Sequence, residues 1–171
     1  MTDLSVRERL QPSLLDRLTD DDTGATQEPR DKRQLTMRGL RRAVLRDLGW
    51  LLNATGLGAV QDLDGHPLTA QSVINFGFPD LSGKTASGLD MEQVARRMRQ
   101  AIWDFEPRIL RDSVQVLVRA GGLDAGAPNH IVFEVHGQLW GQPLPERLYL
   151  KTELDLELGE IRVYDEDAGA P

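Results

Sequence analysis

The chain has 171 residues, no cysteine, and 27 acids against 20 lysines and arginines, for a net charge of −7. That length predicts one domain burying roughly 70% of its unfolded surface, and the missing thiols exclude a disulfide framework or thiolate metal site and fit a reducing compartment. The acidity argues against general nucleic-acid binding, which rests on neutralising phosphates. No run approaches the roughly 18 apolar residues of a membrane helix, and Met1-Thr2-Asp3-Leu4-Ser5 lacks the features of a signal peptide, so the expected location is the cytoplasm. The charge is uneven. Residues 36–53 carry Arg38, Arg41, Arg42 and Arg46 against Asp47 alone, whereas residues 145–171 carry eight acids.

Leu4–Leu18 is a leucine-rich segment in which Pro12 suits a first helical turn and Leu14, Leu15 and Leu18 fall on one face. Residues 20–31, from Asp20-Asp21-Asp22 to Glu28-Pro29-Arg30-Asp31, read as a polar linker. The leucines then form either a helix packed on the chain's own domain or a docking arm for a partner's groove. Thr36–Asn53 is the first long helix. Thr36 is its N-cap, Leu35 and Leu40 its hydrophobic staple, and Met37, Leu40, Val44, Leu48 and Leu51 its apolar stripe. Gly56 is placed to stop it, and its arginines form a solvated face or a partner-facing basic patch.

Leu68–Asn75 predicts a short helix, and Phe76-Gly77-Phe78-Pro79 a buried corner. Asp90 caps a second long helix, with Gln93 reciprocal, Leu89 and Val94 as staple, and Met91, Val94, Met98, Ala101, Ile102 and Phe105 along one face. Pro107 ends it and biases Glu106 away from helical geometry. Glu106-Pro107-Arg108 therefore sets an acid and a base at a rigid helix-to-strand corner, either as a pair or pointing apart.

Beyond the corner the period changes from 3.6 to 2. Val114, Val116 and Val118 alternate with Gln115, Leu117 and Arg119, Ile131, Phe133 and Val135 with Val132, Glu134 and His136, and Leu148, Leu150, Leu154, Leu156 and Leu158 with Tyr149, Lys151, Glu153, Asp155 and Glu157. Gly121–Pro128 and Gly137–Pro145 read as turns, Leu158-Gly159-Glu160 as a tight turn, and Ile161–Tyr164 as a short return strand. Helices first and strands afterwards give an α+β fold, with N-terminal helices on one face of a small, mainly antiparallel C-terminal sheet.

The sequence offers little chemistry. Glycoside cleavage needs two carboxylates about 5–9.5 Å apart across a cleft, and Asp104 and Glu106 are a single candidate pair at a helix end. His130, Glu134 and His136 share strand parity, but residues six apart on a strand are about 20 Å apart, too far to share an ion. No serine sits in a nucleophile elbow. Gly121-Gly122 and Gly56-x-Gly58 lack the spacing of a phosphate loop. No catalytic residue, metal site or cofactor is expected.

Five blocks in order resemble TssE, the type VI secretion baseplate family. They are Pro12–Asp20, Leu45–Asn53, Val73–Leu81, Phe105-Glu106-Pro107-Arg108-Ile109 and Leu150–Glu157. The third is similar to the family's Ser-Val-Leu-Asn-Tyr-Gly-Leu-Pro-Asp block, with Phe76 for the tyrosine and Phe78 for the leucine. The resemblance implies a structural wedge protein, related to the contractile-phage wedge subunit once labelled lysozyme-like, with the sheath proteins' interlocking fold. It implies that the Glu106-Pro107-Arg108 corner seats the first sheath ring, by binding sheath or by bracing the corner. It also implies wedge partners TssF, TssG and TssK, sheath partners TssB and TssC, and neither nucleic acid nor membrane insertion. Residues 1–33 would be arm and linker, 34–164 the wedge domain and 165–171 an acidic tail. The second copy of the tripeptide, Glu28-Pro29-Arg30, lies in the linker. Gly49, inside the first helix, costs about 1 kcal/mol relative to alanine, which a closely packed neighbouring or partner helix would explain. The alternative function is a small regulatory binding module of the anti-adaptor type on a similar fold.

Overall fold

The computed structural model describes residues 13–19, 36–85, 88–119, 130–141 and 144–166. The residues before Ser13, the 20–31 linker with its Glu28-Pro29-Arg30, Leu35 of the first staple, the Gly121–Pro128 loop and the residues after Glu166 lie outside this set.

Four α-helical segments lead: α1 Leu14–Leu18, α2 Met37–Asn53, α3 Pro67–Ala70 and α4 Met91–Phe105. Four strands follow: β1 Gln115–Val118, β2 His130–Leu139, β3 Glu146–Asp155 and β4 Ile161–Asp165. The strands form one antiparallel sheet in the order β1-β2-β3-β4, and α2 packs on β4 while α4 packs on β1. The fold is α+β.

Both long helices start on the caps that the sequence names. Thr36 Oγ1 accepts the Gly39 N–H at 3.1 Å, and an Asp90 carboxylate oxygen accepts the Gln93 N–H at 3.0 Å. Each cap satisfies a donor that the first helical turn leaves unpaired. Their apolar stripes meet the sheet. Leu40, Val44, Leu48 and Leu51 of α2 and Val94, Met98 and Ile102 of α4 share one core with Phe133, Val135, Leu150 and Leu154.

The register assigns the two faces of the sheet. Val116 lies opposite Val135, Phe133 opposite Thr152, and Leu154 opposite Ile161, all on the helix side. Thr152, which the leucine pattern skips, fills its place in the row at 1% exposure and donates to the Phe133 carbonyl at 3.3 Å. The opposite face is charged. Lys151 meets Glu153 at 2.6 Å, His130 meets Asp155 at 3.5 Å, and Arg119 and His136 both approach Glu134.

Several sequence expectations change. β2 runs through Gly137 to Leu139, so only the remainder of Gly137–Pro145 is left for a connection. Leu158 belongs to a turn and is exposed, because Gly159 at φ 70° reverses the chain there and Gly159 N–H closes on the Asp155 carbonyl at 2.8 Å. Leu68–Asn75 is not one helix. It is α3 and a 3-10 turn at Val73–Asn75, broken at Gln71-Ser72. Asn75 locks that region, accepting the Gly58 N–H at 2.8 Å and donating to the Ala70 carbonyl at 2.8 Å. α1 starts at Leu14 with Ser13 as its cap, one residue beyond Pro12. In β1 the alternation fades, and Val118 is 36% exposed.

The glycines divide by space. Gly56 has an ordinary φ of −71°, so it is not a left-handed helix stop. It is small because a Cβ there would lie 2.7 Å from the Asn75 carbonyl oxygen. Gly77 has φ 144°, and a Cβ would lie 2.4 Å from the Ala54 carbonyl oxygen. That close approach joins the Phe76–Phe78 corner to the end of α2, where Phe78 N–H donates to Ala54 O at 2.7 Å. Beyond the backbone of its own helix, Gly49 has no atom of the described residues within 4 Å of where a Cβ would sit, so no neighbouring helix among them requires it. Gly77→Ala is therefore expected to cost more than about 2 kcal/mol, through backbone strain and a clash with rigid main chain. Gly49→Ala is expected to stabilise by about 1 kcal/mol. Paired urea melts check both, and their signs should be opposite.

Candidate functional site

The corner after α4 is held on both sides. Glu106 N–H closes the helix on the Ile102 carbonyl at 2.9 Å, and Ile109 N–H closes the following turn on the Glu106 carbonyl at 3.2 Å. Pro107, with no N–H to give, sits exposed at the apex. The chain then runs alongside the far end of β2. Leu110 N–H donates to the Gln138 carbonyl at 2.8 Å, Trp140 N–H donates to the Arg108 carbonyl at 2.7 Å, and Ile109 bridges to Leu139. Ser113 continues the contact by accepting the Gln138 N–H at 2.8 Å. The turn is thus fixed to the helix layer on one side and to the sheet on the other.

Within it, Glu106 is buried at 3% exposure. Arg108 supplies its donors: Nε to one carboxylate oxygen at 2.7 Å, Nη2 to the other at 2.5 Å, and its backbone N–H at 3.2 Å. This is the two-pronged geometry that a planar guanidinium makes with a carboxylate. Nη2 also reaches Asp47 of α2 at 2.6 Å. Burial alone would weaken Arg108's hold on its proton, but Glu106 and then Asp47 reverse that and hold its pKa above the ordinary arginine value. Arg108 Nη1 is buried with no hydrogen-bond partner among the described residues. Asp104 does not join the group, because its carboxylate takes the Gln100 side-chain amide at 2.9 Å. The acid and base of the tripeptide therefore pair with each other.

A comparison with protein families matches residues 38–144 to baseplate wedge protein gp25, a span that runs from α2 through the corner and β2. The chain belongs to that family. Neither the curated proteins nor the solved structures gave a match. The family is a structural baseplate family, and α1 and the β3–β4 hairpin lie outside the matched span.

Asp47 continues the wedge protein's ion-pair chain away from the corner. Arg46 meets Asp47 at 2.7 Å and Asp16 of α1 at 2.6 Å. For Asp16, burial opposes ionisation, but the Ser13 hydroxyl and Arg46 outweigh it, and its pKa falls below the ordinary carboxylate value. A charged string thus runs from α1 through α2 to the turn. Alongside it lies a hollow of about 210 Å³ between Leu15, Trp50, Phe76 and Phe105, with Asp47, Glu106 and Arg108 also in its lining.

Of the arm leucines, only Leu15 reaches that hollow, and all three are exposed: Leu14 at 71%, Leu15 at 45% and Leu18 at 75%. The arginine face of α2 is not simply solvated. Arg46 joins the string, and Arg41 binds Glu146 at 3.1 Å and Asp165, tying α2 to the acid-rich C-terminal strands. Asp47 was the residue to notice, as the lone acid in an arginine-rich helix. His130 and His136 stand beside different carboxylates, and no group of three potential metal ligands occurs among the described residues.

Proposed function

We infer that this chain is the TssE-type wedge subunit of a type VI secretion baseplate, and that it seats and templates the contractile sheath at the cytoplasmic side of the inner membrane. The observation that carries the reading is the Glu106–Arg108–Asp47 cluster in a chain of the gp25 family, at the turn that joins the helix layer to the sheet. Its charges are spent on each other, which suits a rigid corner better than a reaction. The corner presents its exposed residue, Pro107, to sheath proteins of the TssB and TssC type. β1 and β4 each pair on one side only among the described residues, and an edge of this kind accepts a partner's strand through main-chain hydrogen bonds.

In this reading residues 1–33 are the docking arm and linker, with Leu14, Leu15 and Leu18 inserted into wedge partners of the TssF, TssG and TssK type. Residues 34–164 are the wedge domain, and 165–171 form the acidic tail, whose first residue closes β4. Co-expression with those wedge subunits should yield a complex that retains this chain through gel filtration; its elution alone would contradict the reading.

The proposal includes the absence of enzyme activity. No helix of the described residues is long and apolar enough to cross a membrane, and the purified chain is expected to leave peptidoglycan intact, because Glu106 and Asp47, the two carboxylates that line the hollow, are both paired with Arg108. Release of soluble fragments from purified cell wall, abolished by Glu106→Gln, would overturn that expectation.

A further inference from the structure

The outer side of α4 carries an arrangement that the corner does not use. Arg99 and Trp103 are four residues apart and so share one helix face. Arg111 comes from the 3-10 turn Arg111–Ser113, after the corner has brought the chain back. Both guanidinium carbons lie 4.9 Å from the centre of the Trp103 ring, and the indole N–H is fixed on the Arg111 carbonyl at 2.9 Å. An arginine stacked on an aromatic face uses its flat surface and keeps its edge of N–H donors free. Neither Arg99 nor Arg111 has a side-chain hydrogen bond or ion pair among the described residues.

The surrounding acids do not compensate them. Asp104 is taken by Gln100, Asp90 and Glu92 face Arg96 at 3.7 and 3.5 Å, and Asp112 makes no ion pair among the described residues. Two cations without a side-chain partner among the described residues thus share one ring on a chain of net charge −7, while Arg97, two residues from Arg99 on α4, points to another side of the helix. Two like charges on one ring repel. A carboxylate placed at their donor edges removes that repulsion and satisfies both forks.

We propose that Arg99, Trp103 and Arg111 form a docking surface for an acidic segment of a partner protein, whose carboxylates bind the two stacked guanidinium groups. The net negative charge of the chain disfavours a nucleic acid. A membrane surface is disfavoured because no large apolar residue between Phe76 and Val116 is exposed among the described residues. The surface is separate from the Glu106–Arg108 corner and stands whether or not the wedge reading holds.

The test is a titration of the full chain with a hexaglutamate peptide in about 0.1 M salt, where exposed charges further apart than about 10 Å are screened. The readout is the NMR signal of the Trp103 indole N–H, assigned with Trp103→Phe. A saturable shift confined to that indole is expected. Arg99→Gln/Arg111→Gln and Arg99→Lys/Arg111→Lys should each weaken binding at least about tenfold, because lysine keeps the charge but lacks the planar fork. Arg97→Gln should weaken it less than about threefold, and thermal melts of all variants should match the parent. No shift in the parent, unaltered binding by the lysine variant, or an equal loss in Arg97→Gln would overturn the proposal in favour of a diffuse field. Equally tight binding of inorganic phosphate or of phosphatidylglycerol vesicles would overturn the partner assignment. A tenfold gain in peptide affinity in Asp20→Asn/Asp21→Asn/Asp22→Asn would overturn it in favour of the chain's own linker.

Discussion

Arg108→Ala is expected to destabilise the chain by about 3–5 kcal/mol, because it leaves the carboxylate of Glu106 buried without its main counter-charge. Glu106 is 3% exposed, and after the substitution only the backbone N–H of residue 108 remains to it from the present contacts. Asp47 loses the same guanidinium but keeps Arg46, so the damage centres on the corner. For a chain of this length such a loss lowers Tm by about 10 °C. Glu106→Gln keeps the shape and leaves Arg108 its pairing with Asp47, so a smaller loss is expected. The double variant should cost less than the sum of the two, since both act on one ion pair. In the proposed function sheath assembly fails in Arg108→Ala together with the melt. An unchanged melting temperature with loss of sheath would instead assign Arg108 to a direct interface contact, and normal sheath with an unchanged melt would remove the corner from the mechanism.

The second large effect is expected from replacing Leu14, Leu15 and Leu18 together by Asp. In the chain alone these leucines are exposed, and α1 is held to α2 by the Asp16–Arg46 pair and the edge of Leu15. Little folding energy rests on them, so the melt of the domain should move by less than about 0.5 kcal/mol. Docking in a partner's apolar groove would be abolished by three charges, and pull-down of the wedge subunits should fall to background. The same loss is expected on deleting residues 1–20. A triple variant that loses its cooperative melt would make the segment part of the core, and one that still binds the wedge would dismiss the arm.

Those two regions show what the sequence could and could not carry. The long helices were legible because each has a cap, a staple and a 3.6-residue stripe within a few turns, as at Asp90, Leu89 and Met98. β3 was legible because its leucines alternate, although Thr152 broke the row and Leu158 falsely extended it. Glycines gave a mixed signal: Gly159 marked a true reversal, whereas Gly56 and Gly77 answer to backbone atoms of residues far along the chain, and Gly49 answers to none among the described residues. The tripeptide Glu106-Pro107-Arg108 announced a corner through the proline. It did not announce that the acid is buried or that the base turns back onto it. Asp47 lies 61 residues from Arg108 and Asp165 lies 124 from Arg41, distances at which no periodicity operates and only the packing of α2 on α4 and β4 makes the pairs.

The most direct test of the proposed function is sheath nucleation on a reconstituted baseplate. TssF-, TssG- and TssK-type wedge subunits would be assembled with and without this chain, supplied with TssB- and TssC-type sheath proteins, and imaged by electron microscopy. The account predicts sheaths growing from baseplates that contain the chain and none from those that lack it. Equal numbers of baseplate-attached sheaths in its absence would contradict the claim that this chain is the template.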